Sequence, residues 1–162
     1  MMLAGRLADT APYGWARHAG TLQGYFSDTI ARLGGAGLPP AEAAALERYL
    51  LSLAVPAAHP TASDRVRRGR AIFESAEAGC AGCHAGTATT DGLEHDVGTG
   101  GAGIATFATP SLRFVGRTAP YFHDGRYATL RALLDATDAR MGSTRHLAPG
   151  EIDALAAYLE TL

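Results

Sequence analysis

The sequence is poor in cysteine and has no excess of positive charge. It has two cysteines in 162 residues, with 14 Lys and Arg against 16 Asp and Glu. There is no basic stripe, so nucleic-acid binding has no electrostatic support. No apolar run approaches the length of a membrane span, so no transmembrane segment is predicted. Residues 1–13 also lack the apolar core of a secretory signal.

Both cysteines stand in one motif, Cys80-Ala81-Gly82-Cys83-His84. A zinc site would need a further cysteine or histidine pair, which is missing. A thioredoxin-like redox motif belongs near a βαβ pattern, and none is visible. A disulfide between Cys80 and Cys83 would close a trivially small loop. The C-x-x-C-H spacing instead indicates covalent attachment of one c-type haem, with the thiols on its vinyl groups and His84 as an axial ligand of the iron.

The second axial ligand decides much of the chemistry at such an iron. A thioether gives a six-coordinate iron suited to electron transfer, whereas an open position admits peroxide. Met141, followed by Gly142, lies between the last two predicted helices and is the candidate that we favour. The alternatives are His95, His123 and His146, and Met141 could also be an ordinary gap-filling core residue.

The chain repeats itself over much of its length. Thr10-Ala11-Pro12-Tyr13 recurs as Thr118-Ala119-Pro120-Tyr121, and after a one-residue slip before Leu38 the match continues to the end of the chain. The first copy has no haem motif and carries Leu33 at the position of Met141. Residues 1–58 are therefore predicted to be a partial cytochrome-like repeat that leads into a linker over 56–63. Residues 59–162 are predicted to be a haem domain.

The remaining pattern predicts an all-α fold. One helix begins near Asp64 and ends near Gly79, a second covers Thr129–Arg140, and a third begins at Pro149. Residues 85–117 are rich in Gly and Thr and are predicted to form a long loop around the haem. This order is that of the class I cytochrome c fold. The residues expected where the first and last helices cross are Gly69, Phe73, Ala154 and Tyr158.

A glycine-rich run within this loop matches G-x-G-x-x-G over residues 98–103. A dinucleotide site would need a strand before the run and a helix after it, and neither is predicted. We therefore interpret the run as part of the loop.

Residues 65–162 resemble the C-terminal haem domain of bacterial di-haem cytochrome c peroxidases and MauG-like proteins. The segments that carry the resemblance are Arg68–Phe73, Gly79–His84, Thr109–Arg113, Thr118–Gly125 and the closing helix. The resemblance implies Cys80 and Cys83 as attachment points, His84 as proximal ligand and Met141 as the ligand that completes a high-potential haem. The first repeat is similar to the preceding domain of that family.

These observations favour a periplasmic mono-haem cytochrome that exchanges electrons with a redox partner protein. The missing signal conflicts with that location, and we expect the chain to belong to a longer exported protein or to have a misplaced start. The alternative is a fragment or subunit of a di-haem peroxidase-type oxidoreductase that reduces hydrogen peroxide with an upstream haem domain. A third hypothesis is a degenerate fragment that folds without activity.

Overall fold

The computed structural model describes residues 3–14, 19–54, 57, 63–101, 103–136 and 141–162. Within these ranges the chain is mostly helical, which confirms the all-α prediction. The helices are α1 Leu22–Arg32, α2 Pro40–Leu51, α3 Asp64–Glu74, α4 Leu130–Ala136 and α5 Pro149–Leu159. None of the described helices is long and apolar enough to span a membrane.

Helices α3 and α5 form the main helix–helix contact. The Cα of Gly69 faces the Ala154 carbonyl and the Tyr158 side chain so closely that a Cβ at position 69 would overlap both. The rings of Phe73 and Tyr158 are tilted, with their centroids 5.3 Å apart. The four residues predicted at this crossing therefore meet there, because a glycine permits the close approach and the aromatic rings fill the space beside it.

The hydrophobic core lies where α4 and α5 meet α3 and the loops. Leu155 is fully buried at its centre, and Leu130 and Leu134 contribute from α4. Its other members are Phe73, Val115, Tyr121, Ile152, Ala156 and Leu159. Cys80 packs against this cluster, so the haem motif is attached directly to the core.

The helix ends differ from the sequence prediction in detail. Helix α3 begins at Asp64 as predicted, and Ser63 caps it, because the Ser63 Oγ accepts a hydrogen bond from the Val66 amide at 3.2 Å. The helix ends at Glu74, five residues before the predicted Gly79. Helix α5 begins at Pro149 as predicted. Residues 137–140 of the predicted Thr129–Arg140 helix lie outside the described residues.

The long loop contains more structure than its composition predicts. Strand β1, Glu94–His95, pairs antiparallel with β2, Phe107–Ala108. Short 3₁₀ turns occur at Cys80–Gly82 and Val115–Arg117. After the glycine-rich run, Gly101 forms a bridge with Ile104, and the next described element is β2 and not a helix.

The internal repeat is visible as repeated structure. Tyr13 forms an antiparallel bridge with Ala19, and Tyr121 forms one with Tyr127. Thr21 and Thr129 each accept a hydrogen bond from the backbone amide three residues later, at 3.1 and 3.0 Å. Helix α1 packs on α2 as α4 packs on α5. The 56–63 linker lies outside the described residues apart from 57 and 63.

Candidate functional site

A single tight turn brings the three residues of the haem motif together. Gly79 enters the turn with a φ of +69°, a left-handed conformation that glycine adopts without strain. The Cys83 and His84 amides both donate to the Cys80 carbonyl, at 3.4 and 3.1 Å. The cysteines, three positions apart on a helical turn, therefore lie on one side of it.

Both cysteines are free thiols of intermediate exposure. Burial raises the pKa of the Cys80 thiol, and the neighbouring Cys83 adds to that effect. Burial also raises the pKa of Cys83, and the negative charge of Asp91 acts in the same direction. Neutral, adjacent, unpaired thiols are the groups that add across two vinyl groups, so this pair fits covalent haem.

The imidazole of His84 is held through one of its two nitrogens. Nδ1 lies 3.2 Å from the Thr89 carbonyl oxygen and donates to it, which leaves Nε2 without a proton. Burial lowers the pKa of His84, against the opposing effects of the Thr89 carbonyl, of Asp91 and of the Pro110 carbonyl. A neutral imidazole with its second nitrogen fixed by a carbonyl is the arrangement of metal-binding histidines, so His84 fits an axial ligand.

The carbonyl that orients His84 is itself fixed by the far end of the long loop. Thr89 has a φ of +50°, and its Oγ1 accepts a hydrogen bond from the Leu112 amide at 2.7 Å. The hydroxyl of Ser111, which is buried, lies 3.4 Å from the same Oγ1. Two loop segments more than twenty residues apart thus set the orientation of the histidine.

A second group of polar side chains lies beside Cys83. The Cys83 sulfur, an Asp91 oxygen and a His95 nitrogen all fall within 4.8 Å of one another. His95 Nε2 is 2.7 Å from Asp91 Oδ2. Burial raises the pKa of Asp91, but hydrogen bonds from the Leu93 amide, His95 and Thr109 outweigh it and hold this pKa at about 2. These three groups could hold a cation only while Cys83 keeps its thiol.

Sequence reasoning missed this group, because it treated His95 only as an alternative iron ligand. The only signal in the sequence was the four-residue spacing of Asp91 and His95. That spacing brings two side chains together in a helix, but it predicts no contact in a loop. Here Gly92, with a φ of +68°, turns the chain so that the two side chains meet.

The Met141 loop lies next to the turn that leads into the haem motif. The Ser143 amide donates to the Ala78 carbonyl at 2.9 Å. Gly142 has a φ of +95°, and a Cβ there would overlap the Ala78 carbonyl and lie 3.2 Å from the Cys80 sulfur. Thr144 is buried and donates to the Leu134 carbonyl at 2.7 Å. The loop is therefore fixed both to the motif and to α4.

The three histidine alternatives differ in how far their ring nitrogens are engaged. His95 Nε2 is bonded to Asp91, as described above. His123 Nε2 is 2.8 Å from Thr99 Oγ1, and its ring stacks on Phe107 with centroids 4.0 Å apart. His146 Nε2 lies 3.8 Å from a Glu77 oxygen, a weaker contact. His146 is thus the least constrained of the three.

A family model described as Cytochrome c matches residues 66–162. The matched range contains the haem motif, the long loop, α4 and α5. The matched range begins within α3 and runs to residue 162, so it covers more than half of the chain.

Curated relatives agree with the family resemblance found in the sequence. The methylamine utilization protein MauG of Methylorubrum extorquens is 34% identical over 120 residues, covering 59% of this chain and 34% of that protein. The hydrazine synthase subunit gamma of Kuenenia stuttgartiensis is 30% identical over 142 residues, covering 59% of this chain and 40% of that protein. The cytochrome-c peroxidase IdrP2 of Denitromonas iodatirespirans is 38% identical over 80 residues, covering 46% of this chain and 22% of that protein. The resemblance to MauG-like proteins and peroxidases is therefore confirmed, although the chain spans only 22–40% of these relatives.

Two solved structures share the fold. A Kuenenia stuttgartiensis hydrazine synthase chain superposes with a TM-score of 0.76 and 24% identity, covering 94% of this chain and 68% of that one. A MauG-like protein associated with microbial copper homeostasis superposes with a TM-score of 0.53 and 22% identity, covering 72% of this chain and 47% of that one. At these identities the likeness shows the architecture alone.

Proposed function

Because this chain belongs to the cytochrome c family, whose domains bind haem c and transfer electrons, we propose that it carries one covalent haem at the motif of residues 80–84. The Cys80 and Cys83 thiols would form the two thioethers, and His84 Nε2 would bind the iron. A haem held in this way supplies one-electron redox chemistry. The hydrogen bond from His84 Nδ1 to the Thr89 carbonyl is the observation that carries the assignment, because it leaves Nε2 as the ligand atom.

We assign the sixth position to Met141. Support comes from the loop itself, since Gly142 and Ser143 attach it to Ala78 and Cys80 at the start of the motif. Further support comes from His95 and His123, whose Nε2 atoms have other partners. A methionine at this place would raise the reduction potential and favour electron transfer over ligand exchange.

The larger setting of this haem domain follows from the repeat and from the cofactor. We propose that residues 59–162 form the haem domain, and that residues 1–58 form a partial repeat with a linker. The proposed covalent haem attachment supports a periplasmic location, where the protein would exchange single electrons with a redox partner protein. Leu33, at the position of Met141 in the first copy, cannot bind iron.

The test is spectroscopic, on protein matured with a periplasmic haem-attachment system. We expect mass spectrometry to show one haem per chain, lost in a Cys80→Ser, Cys83→Ser double variant. The oxidised protein should give a low-spin EPR signal and the long-wavelength methionine–iron band. Met141→Ala should abolish that band, whereas His146→Ala should leave it unchanged. A high-spin spectrum unaffected by Met141→Ala would refute the Met141 assignment.

The second candidate function is reduction of hydrogen peroxide to two water molecules, with two electrons and two protons. The relatives favour it, since one is named a cytochrome-c peroxidase. It would need a second source of electrons, such as an upstream haem domain, because the sequence holds one haem motif. Peroxide-dependent oxidation of a reduced cytochrome, which would act as that second source of electrons, would support it over simple electron transfer.

A further inference from the structure

Two arginines connect the first copy of the repeat to the loop that orients His84. Arg6 donates a hydrogen bond from Nη2 to the Ser111 carbonyl, 105 positions away along the chain. Arg113 donates in the opposite direction, from Nη1 to the Ala8 carbonyl at 2.7 Å. The two segments therefore hold each other through one side chain from each, at a point beside the residues that fix the histidine.

The carbonyl of Ser111 and the amide of Leu112 belong to one peptide group. Arg6 donates to the oxygen of this group, and the N–H of the same group donates to Thr89 Oγ1 at 2.7 Å. A cation at the oxygen polarises the peptide group and makes its N–H a stronger donor. The Thr89 carbonyl in turn accepts from His84 Nδ1. A guanidinium of the first copy is thus connected to the imidazole of the haem motif through one peptide group and one threonine.

The Arg6 side chain is held so that its charge can act on this peptide group. The residue is half-buried, so water and salt screen its charge only in part. Burial lowers the pKa of its guanidinium, but an arginine stays protonated in proteins. Its backbone is fixed as well, because Thr10 Oγ1 donates to the Arg6 carbonyl at 2.9 Å. The hydroxyl of Tyr13 donates to the Leu7 carbonyl at 3.0 Å and fixes the next residue.

Arg113 joins the same contact to the turn that follows the haem motif. Its Nε donates to the Thr87 carbonyl at 3.1 Å, while its Nη1 reaches Ala8 of the first copy. Thr87 lies in the turn between His84 and Thr89. The turn that carries the histidine and its carbonyl partner is therefore attached to the first copy by a second, independent route.

We propose that Arg6 is a positioning residue for His84, so that the first copy of the repeat completes the haem site of the second. This inference rests on the proposed function, since it concerns the imidazole that would bind the iron. A carbonyl that holds Nδ1–H firmly makes the imidazole a more basic ligand, which stabilises ferric iron and lowers the reduction potential. Loss of Arg6 would loosen the Thr89 carbonyl and raise the potential, whereas loss of a positive charge alone would lower it.

The experiment uses the haem-loaded full chain and follows both the iron and the peptide group. We expect Arg6→Met to shift the EPR g values of the low-spin iron and to speed deuterium exchange of the Leu112 amide about tenfold, because a hydrogen bond to a charged group is lost. Arg6→Lys keeps the charge and a donor, so it should restore most of both signals. The matched control is Arg70→Met, which removes an exposed arginine that pairs with Glu74 and should leave both signals unchanged.

A double-variant cycle tests the route through Thr89. In a Thr89→Val background the Leu112 amide has already lost its acceptor, so Arg6→Met should change the reduction potential no further. Equal, additive shifts of the potential in both backgrounds would show that Arg6 acts through its charge alone, and the proposal would be overturned. Unchanged exchange of the Leu112 amide in Arg6→Met would overturn it as well.

The two readouts separate a failure of this inference from a failure of the proposed function. If no haem is attached at residues 80–84, the proposed function fails, and exchange of the Leu112 amide in the haem-free chain still decides whether Arg6 acts on this peptide group. If the haem is attached but Arg6→Met has the EPR spectrum and the potential of the wild type, the proposed function stands and the positioning role of Arg6 is refuted.

Discussion

Gly69 of α3 lies against the Ala154 carbonyl of α5 with no space for a side chain between them. This contact sets the distance between the helix that precedes the haem motif and the helix that closes the chain. The ring of Phe73 then reaches Tyr158, and Arg68 reaches Glu151. One missing methyl group therefore permits the apolar and charged contacts on either side of it.

Gly69→Ala is expected to destabilise the protein by about 3 kcal/mol or more, because the added methyl must push the two helices apart. Urea denaturation of the two proteins measures the difference. The control is Gly150→Ala in the first turn of α5, where nothing lies within 4 Å of the new Cβ. A Gly69→Ala protein as stable as Gly150→Ala would contradict the close approach.

Gly142→Ala tests the link between the Met141 loop and the haem motif. The left-handed backbone alone costs about 1–2 kcal/mol with alanine, and the overlap with the Ala78 carbonyl adds to it. We expect a clear loss of stability and, in the haem-loaded protein, a weakened methionine–iron band. Gly34→Ala shares the left-handed φ but meets no described atom, so it should show the backbone cost alone.

Thr89→Val removes the Thr89 hydroxyl, which accepts the hydrogen bond from the Leu112 amide. That hydrogen bond fixes the Thr89 carbonyl, the partner of His84 Nδ1. The Leu112 amide would lose its 2.7 Å hydrogen bond, at a cost of about 1–3 kcal/mol. The imidazole should then reorient, and the EPR spectrum of the haem-loaded protein should broaden or gain a second species. Thr106→Val, which loses only an exposed bond to Glu94, is the control. Identical spectra for the two variants would show that Thr89 does not position His84.

We predict that Asp91 contributes to the free energy of unfolding in a way that depends on pH and is lost in acid. Its folded pKa of about 2 lies below the ordinary 3.8, so its carboxylate stabilises the folded protein above pH 3.8, and that contribution disappears as the pH falls toward 2. Asp91→Asn should therefore be less stable than wild type at pH 7 and approach it near pH 2. Urea denaturation across this range measures the change, with Asp96→Asn as the control. A constant gap between Asp91→Asn and wild type at every pH would exclude this carboxylate as the cause.

The sequence was sufficient to predict those parts of the fold that depend on local residue patterns or on the internal repeat. Pro149 marks the start of α5 because proline suits the first turn of a helix. The crossing residues Gly69 and Tyr158 were predictable because two terminal helices need small and aromatic residues where they meet. The assignment of Cys80, Cys83, His84 and Met141 to the haem stays a prediction.

What the sequence could not supply depends on the path of the long loop. The Thr89 carbonyl reaches His84 only because Leu112 returns to the same place, and no local pattern encodes that return. The grouping of Asp91 with Cys83 depends on it as well. The β1–β2 pair is only two residues long on each side, too short for any alternation to show.

The contact between α3 and α5 also has a consequence for the order of events during folding. Arg65 Nε donates to the carbonyl of Asp153, 88 positions away along the chain. Contacts between such distant segments form slowly, because a large loop must close first. The haem motif follows α3 directly, so both thiols remain accessible until this closure. For the haem proposed at residues 80–84, this order predicts attachment to an open chain, with packing of the last helix afterwards.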